Sequence, residues 1–549
     1  MSAGIPGRDF RRTKPPLDLR WDQFGTQLPE LWQTPPLVTF TASGDASLPG
    51  TMHTRQSTTR TLLSIGSIQI AIMVVAMARG KTMSILLGPA GFGVVSTIDL
   101  TILTLVNLGA LSLPFTALKF MARSHSVGTL EFQDAYASFF RALLTISIAV
   151  VLGANVLLLW APGIFGTELL RYRPFFFIGV LQVPAILLNI FFINTLAAAQ
   201  RSTDSAMVAL LVTVGLAAAA TAGVVTYGIQ GLYIASVLAG LLTTVATMVF
   251  LRRRLALRSL IPTTGLLAAL RQQPEILSYS LLLYIAMAAY SLTMLATRYF
   301  VFEDLGAETA GFLQALVSIA LAVGAVITPM SGLYLAPLVN RQIPTHEKVA
   351  AASAFVSKVS TMLLLMALPV ILFPRVALSL LFSERFSPVS QFLFSFIAWQ
   401  CLYQLVNVYL QLLIGLDDIL YFSIATCVAY ACTALLFPIL IPKLGLSGAA
   451  VALFAGMAVC GVMTALRLRF RFGSPIAAGV LVRASYLLAI IGLAGVLFDP
   501  QSELTMVGTG VRVAFALVAC GVLWFLLAPD ERQFAVDAYS RLRRHWGGP

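Results

Sequence analysis

The chain has 549 residues, 58% hydrophobic and 11% charged, with a mean hydropathy of +0.88. A water-soluble chain of this length could not cover so much apolar surface, so the composition points to a polytopic helical membrane protein. The formal net charge of +13 does not indicate nucleic acid, because the cations fall mostly in connections between hydrophobic runs and no basic domain stands apart from them.

Residues 1–60 are proline-rich and charged, as in PGRDFRRTKPPLDLR and LWQTPPL. They show neither helical periodicity nor the ordered regions of a signal peptide, and read as a disordered cytoplasmic arm. Met52 is an alternative start close to the first span. About fourteen apolar spans follow, near 61–86, 92–113, 136–160, 174–199, 206–227, 231–251, 276–300, 309–336, 350–373, 389–415, 419–441, 447–466, 477–498 and 506–528. An even number places both termini on one side. The positive-inside rule makes that side cytoplasmic: inner connections then hold Arg201, Arg252, Arg253, Arg254, Arg467, Arg469 and Arg471, whereas outer ones hold only Arg171, Arg173, Arg375, Arg385 and Lys443. The basic run RRRLALRSL after the sixth span reads as a topology anchor.

The chain matches itself at a shift of roughly 218 residues. LGPAGFG at 87–93 recurs as LGAETAGF at 305–312, and YGIQGLYIA at 227–235 as LGLSGAAVA at 444–452. Gln182 and Asn189 fall opposite Gln400 and Asn407. Six spans separate the copies, an even number, so the copies keep one orientation. The expected architecture is all-α: an N-lobe at 61–251, a basic inter-lobe loop at 252–275 and a C-lobe at 276–470. Two extra spans at 471–528 and a cytoplasmic tail at 529–549 complete it. Two like-oriented six-helix lobes imply a central cleft, where transporters of this plan hold substrate and alternate its access.

Intramembrane polar residues normally face a bundle interior. In the tenth span, Gln400, Gln404, Asn407 and Gln411 share one helical face, flanked by Trp399, Tyr403 and Tyr409. Such a stripe suits either a wetted surface for sugar hydroxyls or hydrogen bonding between helices. The charges within or near spans are Arg79, Lys81, Asp99, Arg141, Arg298 and Arg512, with only one acid among them. A cleft with that balance attracts an anion, phosphate in particular. Arg79 and Lys81 lie about 200° apart on an ideal helix, so both face the cleft only if Gly80 marks a break. Lys81 is the favoured one, together with Arg298. Snorkelling to the interface, or pairing of one cation with Asp99, stays open for the first span. Arg512 lies outside the repeat and is expected to be structural or peripheral.

No Walker A loop, G-x-S-x-G, H-E-x-x-H or paired-carboxylate constellation stands in a loop, so an enzyme is not expected. Cys401, Cys427, Cys432, Cys460 and Cys520 lack metal-site spacing and read as packing residues; no metal or cofactor is expected.

GKTMSILLGPAGFG at 80–93 resembles the opening of Wzx-type flippases for lipid-linked oligosaccharides. These form the polysaccharide-transport branch of the superfamily that also holds multidrug MATE exporters and lipid II flippases. LKFMARSH at 118–125, TAGFLQALVSIA at 309–320, LYLAPLVNR at 333–341 and SERFSPVSQFLFSFIAWQCLYQL at 383–405 are similar to further segments of that family, in order, over roughly residues 60–470. The resemblance implies a non-enzymatic carrier in the bacterial inner membrane. Its cargo would be an undecaprenyl-pyrophosphate-linked oligosaccharide moved from the cytoplasmic to the periplasmic leaflet for surface polysaccharide or exopolysaccharide synthesis. Polymerase and chain-length or export proteins of the same pathway would be partners. On that basis Lys81, Arg298 and Arg79 would meet pyrophosphate, and Lys119 and Arg123 would stand at the cytoplasmic mouth. Gln182, Asn189, Gln400, Gln404, Asn407 and Gln411 would line the sugar path, and Asp99 would serve coupling or an ion pair. The long arm, the two extra spans and Arg79 beside Lys81 depart from the family pattern. A MATE-like cation-coupled exporter and a lipid II-type flippase are the alternatives.

Overall fold

The structure is a computed structural model that describes residues 51–160, 169–255, 274–325, 343–499 and 505–527, with isolated positions beyond them such as Leu257, Leu335 and Glu503. Residues 1–50 of the expected arm, most of the inter-lobe loop 252–275, much of 326–342 and the tail from 534 lie outside the described residues.

Among the described residues every regular element is helical. In chain order they are α1 (Thr51–Gly109), α2 (Leu113–Val127), α3 (Thr129–Trp160), α4 (Arg173–Val180), α5 (Val183–Ala198), α6 (Ser202–Leu255) and α7 (Pro274–Gly324). They continue with α8 (Thr345–Leu372), α9 (Pro374–Leu381), α10 (Leu393–Gly415), α11 (Ile419–Leu444), α12 (Leu446–Phe472), α13 (Ala478–Leu497) and α14 (Met506–Leu526). Among the described residues ten helices are long and apolar enough to cross a membrane, or eleven with the bent pair Leu170–Val180 and Val183–Ala198 counted as one span.

That number falls short of fourteen because three of the long helices each hold two spans. α1 breaks at Gly88 (φ 66°), α6 at Tyr227–Gly228 (Gly228 φ 61°) and α7 at Gly306 (φ 87°). Each break is a reversal. Arg79 reaches Asp99 across the first, and Arg298 reaches Ala310 across the third. At the second, a Cβ on Gly231 would lie 2.2 Å from the Gly223 carbonyl oxygen. Glycine supplies the left-handed backbone that an ordinary residue adopts only at a cost of about 1–2 kcal/mol. Pro89 then starts the returning arm, where a missing N–H costs no helical bond. The apolar lengths were legible; the hairpin turns let pairs of spans read as single helices.

The repeat is built into the packing. A Cβ on Gly93 would meet Ala307 O at 1.9 Å, and one on Gly311 would meet Pro89 O at 1.9 Å. Both residue pairs obey the shift of 218, so the two hairpin turns contact each other reciprocally, as isologous surfaces do. The second turn pair repeats likewise: Gly448 approaches Leu440 O as Gly231 approaches Gly223 O. Thus α1–α6 and α7–α12 form like-oriented halves, meeting through the hairpins of α1 and α7. α13 and α14 lie outside the repeat, and α13 packs on α8 and α10. The end bearing Gly88 and Gly306 is termed the turn end; the opposite end carries Arg252–Arg254, Arg467 and Arg471 and is the basic end.

Candidate functional site: a cavity between two helical hairpins

A cavity of about 470 Å³ lies between the hairpins of α1 and α7. Its polar wall carries Arg79, Ser96, Asp99, Gln314 and Ser318; its apolar wall carries Met73, Met77, Met83, Leu103, Leu321 and Phe382. Arg79 donates to Asp99 Oδ2 at 3.2 Å, with both side chains more than a third exposed. The Tyr233 hydroxyl, from the returning arm of α6, donates to Asp99 Oδ1 at 3.2 Å. The carboxylate therefore has two donors, and the guanidinium keeps a face toward the cavity.

The second hairpin holds a counterpart. Arg298 is buried, donating from Nη1 to Ala310 O at 2.9 Å and from Nη2 to Gln314 Oε1. Gln314 Nε2 donates onward to Ser318 Oγ at 2.9 Å. Each hairpin thus has an arginine in its first arm held by a polar residue of its second. Arg79 reaches the cavity directly, whereas Arg298 stands behind Gln314.

Lys81 does not line this cavity. Its ammonium donates to Leu380 O at 2.7 Å, at the end of α9. The helix stays continuous through Gly80, so Arg79 and Lys81 diverge as ideal geometry requires, and it is Arg79 that faces inward.

The turn end above the cavity is sealed by aromatic rings. Phe92 from α1 contacts Phe382 and Phe386 at centroid distances of 5.7 and 5.9 Å, and Phe312 from α7 contacts Phe386 at 5.6 Å. Toward the basic end a polar seam joins α1 and α2 to α7. Asn107 donates to Ser291 at 3.0 Å, Thr116 to Ser280 at 2.6 Å, and Tyr284 to Leu108 O at 3.1 Å. Lys119 sits 4.3 Å from the centroid of the Tyr279 ring, and Arg123 is exposed one turn further along α2. Nearby Asp417, in the turn before α11, has its carboxyl raised above the ordinary carboxylate range by burial, while Lys119 and Lys348 draw it back. The two cations expected at a mouth therefore share one helix at the basic end.

The amides expected to line a sugar path do not border the cavity. Asn189 donates to Thr244 Oγ1 at 3.0 Å and ties α5 to α6; Gln182 is half-buried before α5. Gln400 and Gln404 are buried and face Gly324 of α7, where a Cβ would lie 2.4 Å from either amide nitrogen. Among the described residues neither polar atom of the Gln400 amide has a hydrogen-bond partner. Asn407 and Gln411 are half-buried further along α10. Tyr409 donates to Ser353 at 3.1 Å, so its hydroxyl serves packing of α10 on α8. Arg512 is buried as expected of a structural group: it donates to Leu372 O and to Asp499 O, and covers the Phe498 ring at 5.0 Å.

Sequence reasoning missed Gln314, Ser318, Tyr233 and the polar seam. Gln314 and Asn107 carried the same signal as the stripe of α10, an amide inside a span, but each is the single amide of its span.

No family model and no curated protein matches the sequence. Solved structures do match. One described as lipid II flippase MurJ in an inward closed conformation aligns with a TM-score of 0.63 at 12% identity, over 84% of this chain and 98% of that one. An inward-facing multidrug-resistance MATE transporter of the MOP superfamily gives 0.57 at 15% identity, over 74% and 98%. A MOP superfamily transporter from Pyrococcus furiosus, titled for the reversed polarity of its binding pocket, gives 0.54 at 14% identity, over 75% and 95%. The chain has the fold of MOP superfamily transporters.

Proposed function

We propose that this chain is a flippase that carries an undecaprenyl-pyrophosphate-linked oligosaccharide from the cytoplasmic to the periplasmic leaflet by alternating access. The observation that carries the reading is the Arg79 guanidinium in a cavity between two repeat-related hairpins. A guanidinium already neutralised by Asp99 costs the empty state little, and an incoming diphosphate competes for its bidentate face while Asp99 keeps the Tyr233 hydroxyl. Gln314, backed by Arg298, offers an amide to sugar hydroxyls. The cavity volume falls within the roughly 300–1,000 Å³ of small-ligand sites, enough for a headgroup, while its Met and Leu wall suits the start of a lipid tail. Lys119 and Arg123 stand where an anionic headgroup would approach from the cytoplasm. Opening the α1–α7 seam admits it; parting of the aromatic seal releases it.

The extent of the fold match favours a lipid-linked cargo. The lipid II flippase covers 84% of this chain against 74–77% for the MATE structures. A drug exporter is the second reading, favoured by Asp99, a carboxylate in the cavity. Deleting the gene discriminates. Accumulation of an undecaprenyl-pyrophosphate glycan in the inner leaflet, persisting when Arg79→Gln is supplied, is the expected result. Unchanged glycolipid together with lost efflux of a cationic dye would establish the drug exporter instead.

A further inference from the structure

We infer that α9 is a strap through which the C-terminal helix pair holds the turn-end gate shut. This eight-residue helix is clamped at both ends by charged side chains from different parts of the molecule. At its start, the Glu503 carboxylate, 1% exposed, accepts from the backbone N–H groups of Arg375 and Val376, both at 2.9 Å. Those are N–H groups that a helix leaves unpaired, and an anion there also meets the positive end of the helix dipole. Glu503 belongs to the connection between α13 and α14. At the other end, Lys81 of α1 donates to the carbonyl of Leu380, where the dipole favours a cation. The residue after α9 is Phe382, which packs on Phe92 and on Phe386 and borders the cavity. One side of the gate is therefore aimed by a helix whose two ends are tied to the extra helix pair and to the first half of the repeat.

The geometry accounts for two features that substrate binding does not. Lys81 is directed at a helix terminus rather than into the cavity. Glu503 is one of few buried carboxylates among the described residues, and it faces backbone N–H groups at its post. Opening the turn end requires α1 to part from α9, so the Lys81 bond exists only while that end is closed, and the Glu503 cap holds α9 in the position where Leu380 O meets Lys81. The strap thus biases the two conformers without touching cargo, and the inference stands whatever is carried.

Spin-label distances on the full chain in lipid nanodiscs test it. Cys427, Cys432 and Cys520 are replaced by Ser, and labels are placed at Ala90→Cys and Glu308→Cys, exposed positions beside the contacting hairpin turns. In the otherwise unchanged chain one short distance should dominate. Lys81→Met, which removes the charge-assisted bond of the closed conformer, and Glu503→Gln, which loosens the cap that holds α9 in place for that bond, should each raise a longer-distance population by about five- to tenfold. Glu531→Gln is the control: it breaks the Arg483–Glu531 ion pair (2.8 Å) of the same helix pair at the basic end and should leave the distances unchanged. Distances unmoved by either clamp variant, moved by only one of them, or moved equally by Glu531→Gln would overturn the strap.

Discussion

Two arginines with similar surroundings have different duties. Arg79 shares Asp99 with Tyr233 and remains partly exposed in the cavity; Arg298 is spent on Ala310 O and Gln314. Arg79→Gln should therefore weaken cargo binding about tenfold or more while costing little stability, since an exposed ion pair contributes about 1 kcal/mol or less. Binding of labelled glycolipid and thermal unfolding of the same preparation check both halves. Arg298→Gln should do the reverse and lower stability by about 2–3 kcal/mol, because it leaves buried acceptors unpaired. Arg512→Met should cost about 3 kcal/mol for the same reason, with transport by the surviving protein near normal; thermal unfolding and transport per folded molecule separate the two. Which of Arg79 and Lys81 turned inward was not legible in the sequence. Their spacing required divergence, but the direction depended on α9, whose eight residues carry no pattern that marks a helix end as an acceptor for Lys81.

The elements were easier to read than the side chains. Apolar length revealed the spans, and LGPAGFG with LGAETAGF marked two turns whose glycines adopt φ of 66° and 87°. The same glycines hide the spans, because each reversal is tight enough for helix to follow helix directly. Close approach and backbone conformation predict different outcomes for one substitution. Gly311→Ala places a methyl 1.9 Å from a carbonyl oxygen and should destabilise the closed turn end by about 1–3 kcal/mol. Gly228→Ala meets nothing within 4 Å and should cost only about 1–2 kcal/mol for a left-handed backbone. Thermal unfolding compares the pair directly, and equal costs would remove the argument for intimate contact between the hairpins. The stripe of α10 was legible as a stripe but not in its destination. Gln400 and Gln404 turn to Gly324, a partner 76 residues away in sequence from the nearer of them that only the tertiary structure supplies.

At the scale of the whole molecule, duplication explains the site. Two hairpins related by the repeat meet at their turns, and the space they leave below that contact is the cavity. Charges that differ between the copies give it polarity: Arg79 and Asp99 on one side, Gln314 on the other. Both closures are visible at once, aromatic at the turn end and polar along the α1–α7 seam, so the described conformation is occluded on these two sides. The seam's hydrogen bonds are worth about 0.6–2 kcal/mol each in a membrane setting, small enough for a bound headgroup to trade against. In the proposed function this space carries a diphosphate attached to a lipid. The most direct test of that function is translocation of a labelled undecaprenyl-pyrophosphate oligosaccharide across vesicles containing the purified chain. The purified chain should move it, Arg79→Gln should abolish the movement, and inorganic pyrophosphate should inhibit it. Vesicles that fail to move the glycolipid yet export a cationic dye through an Asp99-dependent route would contradict the proposed function.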